Sequence, residues 1–250
     1  MSWKIKLSHV SNRRKTILIS LVGALTLYIF CLPEKIFNEP YSTVLEANNG
    51  QLLSASIAKD GQWRFPEADS IPKRFEDALI TFEDKRFYYH PGVDPLSMAR
   101  AMFQNIREGT IVSGGSTITM QLIRLSRTPS PRTIFEKCLE TILATRLELS
   151  YSKKEILALY ASHAPFGGNV VGLDAACWKY FGRSAKQLSW GEAAMLAVLP
   201  NAPSLIHPGR NRDVLRKKRD KLLDKLYAEG KIDSLTCALS KTEAIPEQPE

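Results

Sequence analysis

Apolar residues recur along most of this chain at the spacing of amphipathic helices. Near the middle of the first half, four apolar residues follow i, i+3, i+4 and i+7 and predict one such helix. They are Phe75, Ala78, Leu79 and Phe82. Pro72 precedes them at a position that the first turn of a helix tolerates. The helix is therefore expected to end near Glu83, directly before an aromatic stretch at residues 87–92.

Five further helices are predicted by the same periodicity combined with capping residues. They cover residues 94–105, 131–148, 153–161, 190–199 and 212–229. Asp94, followed by proline, caps the first of these helices, and Ser189 with Glu192 forms a capping box at the fourth. Pro200 and Gly230 end the last two.

One short region has a different pattern. Residues 43–47 and 52–58 contain alternating or continuous apolar positions on either side of an Asn-Asn-Gly turn. This arrangement predicts a β-hairpin. Because the rest of the pattern is helical, the expected fold class is mainly α with one small β-hairpin.

The most apolar segment is residues 16–32, which contain no charged residue. Its length is at the short end for a membrane-spanning helix, and Arg13, Arg14 and Lys15 precede it. Such basic residues favour the cytoplasmic side, so we expect a single-pass anchor with a cytoplasmic N-terminus. A cleaved signal peptide is less favoured because no small-x-small site follows the apolar run.

The predicted organisation has four parts. They are a basic cytoplasmic tail at 1–15, a transmembrane anchor at 16–32, a globular domain at 42–232 and a linker at 233–250. The whole chain of 250 residues has a formal net charge of +8. Beside a membrane, this charge indicates anionic lipid or a phosphorylated substrate as readily as nucleic acid. No nucleic-acid-binding motif is found, and export from the cytoplasm argues against that partner.

The four cysteines show neither C-x-x-C nor metal-ligand spacing. We interpret them as small buried apolar residues, and Cys138 is expected on the apolar face of its helix. A disulfide between Cys177 and Cys237 stays open at this point.

The strongest candidate for chemistry is Glu83. At the end of a helix and next to aromatic residues, a carboxylate can be partly desolvated, and its pKa then rises toward that of a working base. The alternative is that residues 83–86 form an ordinary solvated helix end.

A second candidate is the segment 113–127. Two glycines permit a tight turn, and Ser116 and Thr117 are good N-cap residues for a following helix. Free N–H groups at that helix start, together with Arg124, suit a phosphate or pyrophosphate. The alternative is plain helix capping, and the segment lacks the spacing and lysine of a P-loop.

A third candidate lies on the predicted helix at 134–148. Its apolar face is expected to comprise Phe135, Cys138, Leu139 and Ile142. Glu136, Lys137 and Glu140 would share the opposite face. They form either a solvated face with a helical ion pair or a second carboxylate held beside a lysine across a cleft from Glu83.

Four motifs in order resemble the signatures of the peptidoglycan glycosyltransferases, glycosyltransferase family 51. They are EDKRFYYHPG (83–92), GGSTITMQL (114–122), EKCLE (136–140) and YSKKEILALY (151–160). Such enzymes form the N-terminal half of class A penicillin-binding proteins and also occur alone. The similarity covers about residues 43–230.

The resemblance implies a lysozyme-like, two-lobed glycosyltransferase domain on the outer (periplasmic) face of the bacterial cytoplasmic membrane. It implies that lipid II is polymerised by inverting transfer, with release of undecaprenyl pyrophosphate. The partners would be lipid II, the growing glycan strand, membrane lipids and other cell-wall synthesis proteins, without nucleic acid. Mg²⁺ or another divalent cation would assist, with no organic cofactor, and a transpeptidase domain would follow the linker.

Carried over by position, Glu83 is the expected general base and Glu140 the second catalytic glutamate. The other positions that match the family's motifs are expected to bind substrate. They are Asp84, Phe87, His90, Gly115, Ser116, Thr117, Gln121, Arg124 and Lys137. Asp84 and His90 are expected to orient Glu83, and Lys137 to contact the pyrophosphate. No protein ligand for a metal is predicted.

Three positions depart from the family's pattern. Glu136 stands where the third motif usually has arginine, which removes an expected phosphate contact. Met120 replaces one of a pair of glutamines, and Ser162 replaces an asparagine after the fourth motif. A catalytically impaired scaffold therefore stays open as an alternative. So does a muramidase or lytic transglycosylase, although such an enzyme would have no pyrophosphate to stabilise.

Overall fold

A computed structural model describes residues 2–48, 50–110, 114–127, 133–201, 203 and 205–246. The predicted turn residue Asn49, the start of the helix expected at 131 and the linker end at 247–250 lie outside this description. The chain divides into two compact units, Met1–Phe37 and Asn38–Glu250.

The first unit contains helix α1, Ser2–Phe30. Among the described residues, no helix combines the length and apolarity needed to cross a membrane. The predicted span at 16–32 is therefore not confirmed.

The second unit is mainly helical, as the sequence predicted. Its helices are α2 (Lys73–Glu83), α3 (Pro95–Glu108), α4 (Ile118–Ser126), α5 (Ile134–Glu148), α6 (Lys153–His163), α7 (Leu173–Phe181), α8 (Trp190–Val198), α9 (Arg212–Ala228) and α10 (Ser234–Thr242). Short 3₁₀ turns cover Phe87–Tyr89 and Ala185–Gln187.

The expected helix caps form. The Asp94 side chain accepts hydrogen bonds from the N–H groups of Leu96 and Ser97 at the start of α3. Ser189 and Glu192 form a complete capping box at α8. These caps satisfy backbone donors that a helix start otherwise leaves free, which explains why the local sequence located the helix starts well.

Two small sheets accompany the helices. Strands β1 (Thr43–Glu46) and β2 (Leu52–Ser56) form the predicted antiparallel hairpin. The second sheet has the order β3-β5-β4, built from Trp63–Arg64, Val170–Val171 and Pro165–Gly167. In this sheet β3 pairs parallel with β5, which joins segments about a hundred residues apart and was not predicted.

The packing of the helices determines where the site lies. Helix α2 packs against α8 and α9, while α4 packs against α5 and α6. The last residue of α2 and the first turn of α4 lie close together, because the backbone N–H of Ile118 reaches the Asp84 carboxylate at 3.1 Å. Two packed groups of helices thus meet at Glu83.

The buried face predicted for helix α5 is wrong. On α5 the buried residues are Glu140, Leu143, Ala144 and Leu147, whereas Phe135, Cys138 and Ile142 are exposed. The helix carries apolar residues on two sides, and its packing against α4 buries the side that contains Glu140. The interpretation of Glu136–Glu140 as part of a solvated face is thereby excluded for Glu140.

The cysteines also differ from the prediction in part. Cys177 and Cys237 are buried and free, so they do not form the disulfide that the sequence left open. Cys31 and Cys138 are exposed rather than buried. The segment predicted as a linker from residue 233 contains α10, which packs on α9 and is capped by the Asp233 side chain.

Candidate active site

Glu83 is the last residue of α2 and is half-buried. Its Oε2 accepts a hydrogen bond of 2.7 Å from the side-chain amide of Gln121, and its Oε1 is buried without a hydrogen-bond partner. Burial raises the pKa of Glu83 above its usual value, and the Gln121 bond and the Arg124 charge offset part of this rise. A carboxylate with one unbound oxygen and a raised pKa is suited to accept a proton.

The neighbouring residue Asp84 connects two elements behind Glu83. Its buried carboxylate accepts hydrogen bonds from the Ile118 backbone N–H and from His90 Nε2, the latter at 3.0 Å. The negative charge lies at the N-terminus of α4, where the helix dipole stabilises it. Asp84 and His90 therefore hold the end of α2 against the start of α4. These hydrogen bonds occupy the Asp84 carboxylate, which favours a supporting role over that of a second base.

Phe87 lies on the 3₁₀ turn and is fully buried. The Lys153 ammonium lies 4.3 Å from the centre of its ring and donates a hydrogen bond of 2.7 Å to the His90 carbonyl. The same ammonium pairs with Glu148 at 2.8 Å. Phe87 and His90 were predicted to bind substrate, and in the structure both are buried and support the loop from within the core. Lys153 was not predicted from the sequence.

The second predicted segment begins α4. Thr117 is its N-cap, and the Thr117 hydroxyl accepts from the Met120 N–H and donates to the Gly92 carbonyl at 2.6 Å. Gly115 lies against the backbone of Met98, where an added Cβ would come within 2.8 Å of Cα. The segment is thus held close to both the aromatic loop and α3.

A cleft of about 730 Å³ opens between these elements. Glu83, Gly115, Ser116 and Thr117 line it. Four cationic side chains line the same cleft, and they outnumber by one the carboxylates of Glu83, Asp84 and Asp94 that line it too. The four are Lys85, Arg86, Arg100 and Lys225. Arg86 is held by Asp94 at 2.5 Å, so its position is fixed by the cap of α3.

Gln121 is positioned by a residue that the sequence analysis did not select. The Tyr160 hydroxyl of α6 lies 3.3 Å from Gln121 Oε1 and donates to it, which leaves the amide nitrogen directed at Glu83. Burial raises the pKa of Tyr160 well above its usual value, so this hydroxyl keeps its proton. Tyr160 is the last residue of the fourth motif, and this position in the motif was the feature of the sequence that could have indicated its role.

A second charged group lies between α4 and α5. Glu140 is buried, and none of the described residues forms a hydrogen bond or ion pair with its carboxylate. Burial raises the pKa of Glu140, and the charges of Arg124 and Lys137 act against that rise. Arg124 influences both Glu83 and Glu140, so it links the two predicted catalytic residues.

The three departures from the family's pattern have distinct surroundings. Glu136 forms an ion pair of 3.1 Å with Arg127, the residue that follows α4. Met120 is fully buried in the core. The Ser162 hydroxyl accepts a hydrogen bond from the Ala68 N–H, on the wall of a separate pocket away from Glu83.

The described residues contain no group of three or more acidic, histidine or cysteine side chains that could hold a metal ion. Glu140 and Glu136 are too few to form a protein-only site for Mg²⁺, which takes six oxygen ligands.

Comparison with known proteins gives a consistent result. A transglycosylase family model matches residues 49–227. Penicillin-binding protein 1C of Escherichia coli is 44% identical over 188 residues, which cover 75% of this chain and 24% of that protein. Penicillin-binding protein 1F of Bacillus subtilis is 34% identical over 88% of this chain and 31% of its own length.

A crystal structure of penicillin-binding protein 1A from Haemophilus influenzae aligns with 86% of this chain and 22% of that chain, with 19% identity and a TM-score of 0.47. The chain spans about a quarter to a third of the length of the two curated relatives described above. The family model, in contrast, covers most of this chain. The chain therefore belongs to the transglycosylase family, the peptidoglycan glycosyltransferases found in class A penicillin-binding proteins.

Proposed function

We propose that this domain polymerises lipid II into β-1,4-linked glycan strands and releases undecaprenyl pyrophosphate. The observation that carries the proposal is Glu83: a half-buried carboxylate with a raised pKa and one unbound oxygen, on the wall of a cleft that four cationic side chains also line. A hydroxyl nucleophile needs such a base within reach. A pyrophosphate leaving group needs the positive charge that lies beside it.

In the proposed step, Glu83 takes the proton from the 4-hydroxyl of the GlcNAc of lipid II. That oxygen attacks C1 of the lipid-linked MurNAc at the end of the growing strand. The C1–oxygen bond to the α-linked pyrophosphate breaks, so the configuration inverts and a β bond forms. Arg124 and Lys137 stabilise the charge that develops on the departing pyrophosphate, as their effect on the Glu140 carboxylate supports.

Glu140 has a supporting role in this proposal. The charges of Arg124, Lys137 and Arg127 lower the pKa of its buried carboxylate, and its own negative charge would in turn favour these cations near the leaving group. A divalent ion would add charge stabilisation through the pyrophosphate oxygens when bound. Ser116, Thr117 and Gly115, on the cleft wall, would contact the sugar–phosphate portion of the substrate.

We also propose that the domain works at the outer surface of the cytoplasmic membrane, where a lipid-linked substrate is found. Large apolar side chains are exposed on two helices, α3 and α5. They are Leu96, Met102, Phe103, Ile106, Ile134, Phe135 and Ile142. Exposed apolar surface of this extent is typical of contact with another apolar phase, and such contact would bring the cleft to the lipid II headgroup.

The test offers the full chain lipid II and, separately, finished glycan strands. We expect polymer to form from lipid II, measured by gel separation of labelled strands, and no cleavage of finished glycan. Activity on glycan alone would instead identify a muramidase or lytic transglycosylase. Inactivity on both substrates, in a protein with a cooperative unfolding transition, would favour the scaffold.

A pH profile tests the role of Gln121. Glu83 acts as a base only when ionised, so kcat/KM is expected to fall as the pH drops through its raised pKa. Gln121→Met removes the amide that stabilises the ionised form. A hydrogen bond to a charged group contributes about 1.5 kcal/mol, so the acidic limb should move about one pH unit higher.

Gln187→Met is the matched control, since Gln187 is exposed and lies on a different pocket. It should leave the acidic limb in place. At high pH the Gln121→Met enzyme should approach the wild-type rate, because Glu83 is then ionised in both. An unshifted limb with a uniformly lower rate would contradict a role for Gln121 in stabilising the ionised base.

A further inference from the structure

The cleft beside Glu83 contains a cation that the proposed mechanism does not yet use. Lys225 is half-buried in the last turn of α9 and lines this cleft of about 730 Å³. None of the described residues forms a hydrogen bond or an ion pair with its ammonium group. A partly buried cation without a partner loses solvation and gains no contact in return. The Lys225 ammonium is therefore available to a ligand that enters the cleft.

The nearest acidic residue to Lys225 in the chain, Glu229, is already engaged by other groups. Its Oε1 pairs with the Lys85 ammonium. Its Oε2 accepts a hydrogen bond of 2.9 Å from the Thr81 hydroxyl. Both carboxylate oxygens thus join the end of α9 to α2 and the residues after it, and neither contacts Lys225.

The remaining cations of the cleft are engaged to different degrees. The Arg86 guanidinium donates two hydrogen bonds to the Asp94 carboxylate, of 2.5 and 3.0 Å. Arg100 donates only to a neutral group, the Ser97 hydroxyl, at 3.3 Å. Within the described part of the chain, Lys225 and Arg100 are thus the cations of this cleft that lack a carboxylate partner.

The surroundings of Lys225 disfavour its own charge. Burial and the charges of Lys85 and Lys221 lower the pKa of Lys225, and the charge of Glu229 offsets part of this effect. An anion placed in the cleft would remove part of this unfavourable electrostatic energy. The Lys225 position is therefore better suited to bind an anionic ligand than to carry a free ammonium group.

The proposed reaction brings two pyrophosphate groups near Glu83. One is the leaving group on the growing strand, which Arg124 and Lys137 are proposed to stabilise, and neither of these residues lines the cleft. The other belongs to the lipid II molecule whose 4-hydroxyl attacks, and it stays bonded to its own sugar during the step. Ligand pockets of about 300–1,000 Å³ enclose molecules of drug size, so the cleft has room for part of this sugar–phosphate group.

We propose that Lys225 binds the pyrophosphate of the attacking lipid II and thereby holds the GlcNAc 4-hydroxyl within reach of Glu83. The inference rests on the proposed function, because it names a residue that contacts the attacking substrate of that reaction. Lys225 is then a substrate-binding residue for one pyrophosphate, and Arg124 and Lys137 serve the other.

Two competing explanations lead to different expectations. Lys225 could act only as a helix-end residue, since a cation in the last turn interacts favourably with the helix dipole. It could instead belong to a basic surface of α9 that contacts anionic membrane lipid. The first explanation requires stability to fall when the charge is removed. The folded state, however, binds the Lys225 proton less tightly than the unfolded chain does, so we expect Lys225→Met to leave the urea midpoint unchanged or raise it.

Steady-state polymerisation of lipid II by the full chain tests the substrate contact. Lys225→Met should raise the KM for lipid II about tenfold, the effect of losing one charge-assisted contact. It should leave kcat within about twofold, because the pyrophosphate of the attacking molecule is unchanged by the step and is bound equally in the ground and transition states. Lys225→Arg keeps the charge and should restore most of the affinity.

Lys217→Met is the matched control for these kinetics. Lys217 is exposed on the same helix and does not line the cleft. Its replacement removes the same charge and should leave the KM within about twofold.

Chemical labelling locates the contact without turnover. In the Glu83→Gln chain, acetic anhydride modifies lysine amines, and mass spectrometry measures the rate at each residue. Lipid II in detergent micelles should slow the modification of Lys225 about tenfold and leave that of Lys217 within about twofold. Micelles that contain phosphatidylglycerol in place of lipid II should slow neither.

Several results would overturn the proposal. A fall in kcat with an unchanged KM would place Lys225 at the leaving group. Equal protection of Lys225 by phosphatidylglycerol would identify a membrane contact, and a lower urea midpoint with an unchanged KM would identify a helix-end residue. The proposed function fails separately. If lipid II protects Lys225 of the wild-type chain but no polymer forms, the binding contact stands without the reaction.

Discussion

Glu83→Gln is expected to abolish polymerisation of lipid II, with kcat/KM falling about 10²- to 10⁴-fold, the range for loss of a general base. The amide has nearly the same shape as the carboxylate but does not accept a proton from the attacking hydroxyl. The side chain keeps its place at the end of α2, where Gln121 can still donate to its oxygen. Formation of labelled glycan strands measures the effect.

The stability of this variant is expected to be equal to or greater than that of wild type. Burial raises the pKa of Glu83, so its ionised form is disfavoured in the folded state relative to the unfolded chain. At neutral pH, removing this charge relieves a cost rather than an attraction. A loss of activity with an undiminished urea midpoint would therefore separate a chemical role from a structural one.

Glu108→Gln is the matched control for this experiment. Glu108 is the exposed last residue of α3. Neutralising it changes net charge by the same amount and should leave the rate within about twofold. Near-normal turnover in Glu83→Gln would refute the role of Glu83, and an equal loss in both variants would indicate a general charge effect.

The helices that the sequence predicted well are those with a clear local signal, which is one apolar face on α2 and a side-chain cap on α3 and α8. Helix α7 was missed because its N-cap, Gly172, supplies no side-chain hydrogen bond and its buried residues cluster in the first half instead of recurring as one apolar face. Helix α5 was located but assigned the wrong buried side, since apolar residues occupy two of its sides and packing decides between them.

The candidate site, like the fold, was predicted from the sequence only in part. Motif order indicated Glu83, Gln121, Arg124 and Glu140, and the structure brings these four into one neighbourhood. Contacts between distant segments were not predictable from local pattern. They include Lys153 with the His90 carbonyl and Tyr160 with Gln121. The ion pair between Arg127 and Glu136 was not predictable from the sequence either, because it depends on how α4 packs against α5.

Gly92 ends the aromatic loop that follows Glu83, and its backbone holds this loop against two helices. Its φ of +86° lies in the region that residues with a Cβ rarely adopt. An added Cβ would come within 2.6 Å of the Ala144 carbonyl oxygen on α5. The Gly92 carbonyl accepts the hydrogen bond from the Thr117 hydroxyl at the start of α4.

Gly92→Ala is therefore expected to lower the free energy of unfolding by about 3 to 5 kcal/mol, through backbone strain together with a clash against main-chain atoms. Gly109→Ala separates these two causes. Gly109 also has a positive φ, +65°, but nothing lies within 4 Å of its added Cβ. Strain alone should cost it about 1 kcal/mol.

Urea unfolding of both variants measures the difference in the free energy of unfolding, with the transition treated as two-state for the second unit.

The clash at Gly92 has a functional consequence too, because its relief requires the loop to move away from α5. Such a shift displaces Asp84 and His90 from the start of α4 and so disturbs the support of Glu83. Gly92→Ala should consequently lose polymerisation activity even below the temperature at which it unfolds, whereas Gly109→Ala should keep it. Equal stability of the two variants would mean that α5 yields easily at Ala144 and that the loop is not fixed by this contact.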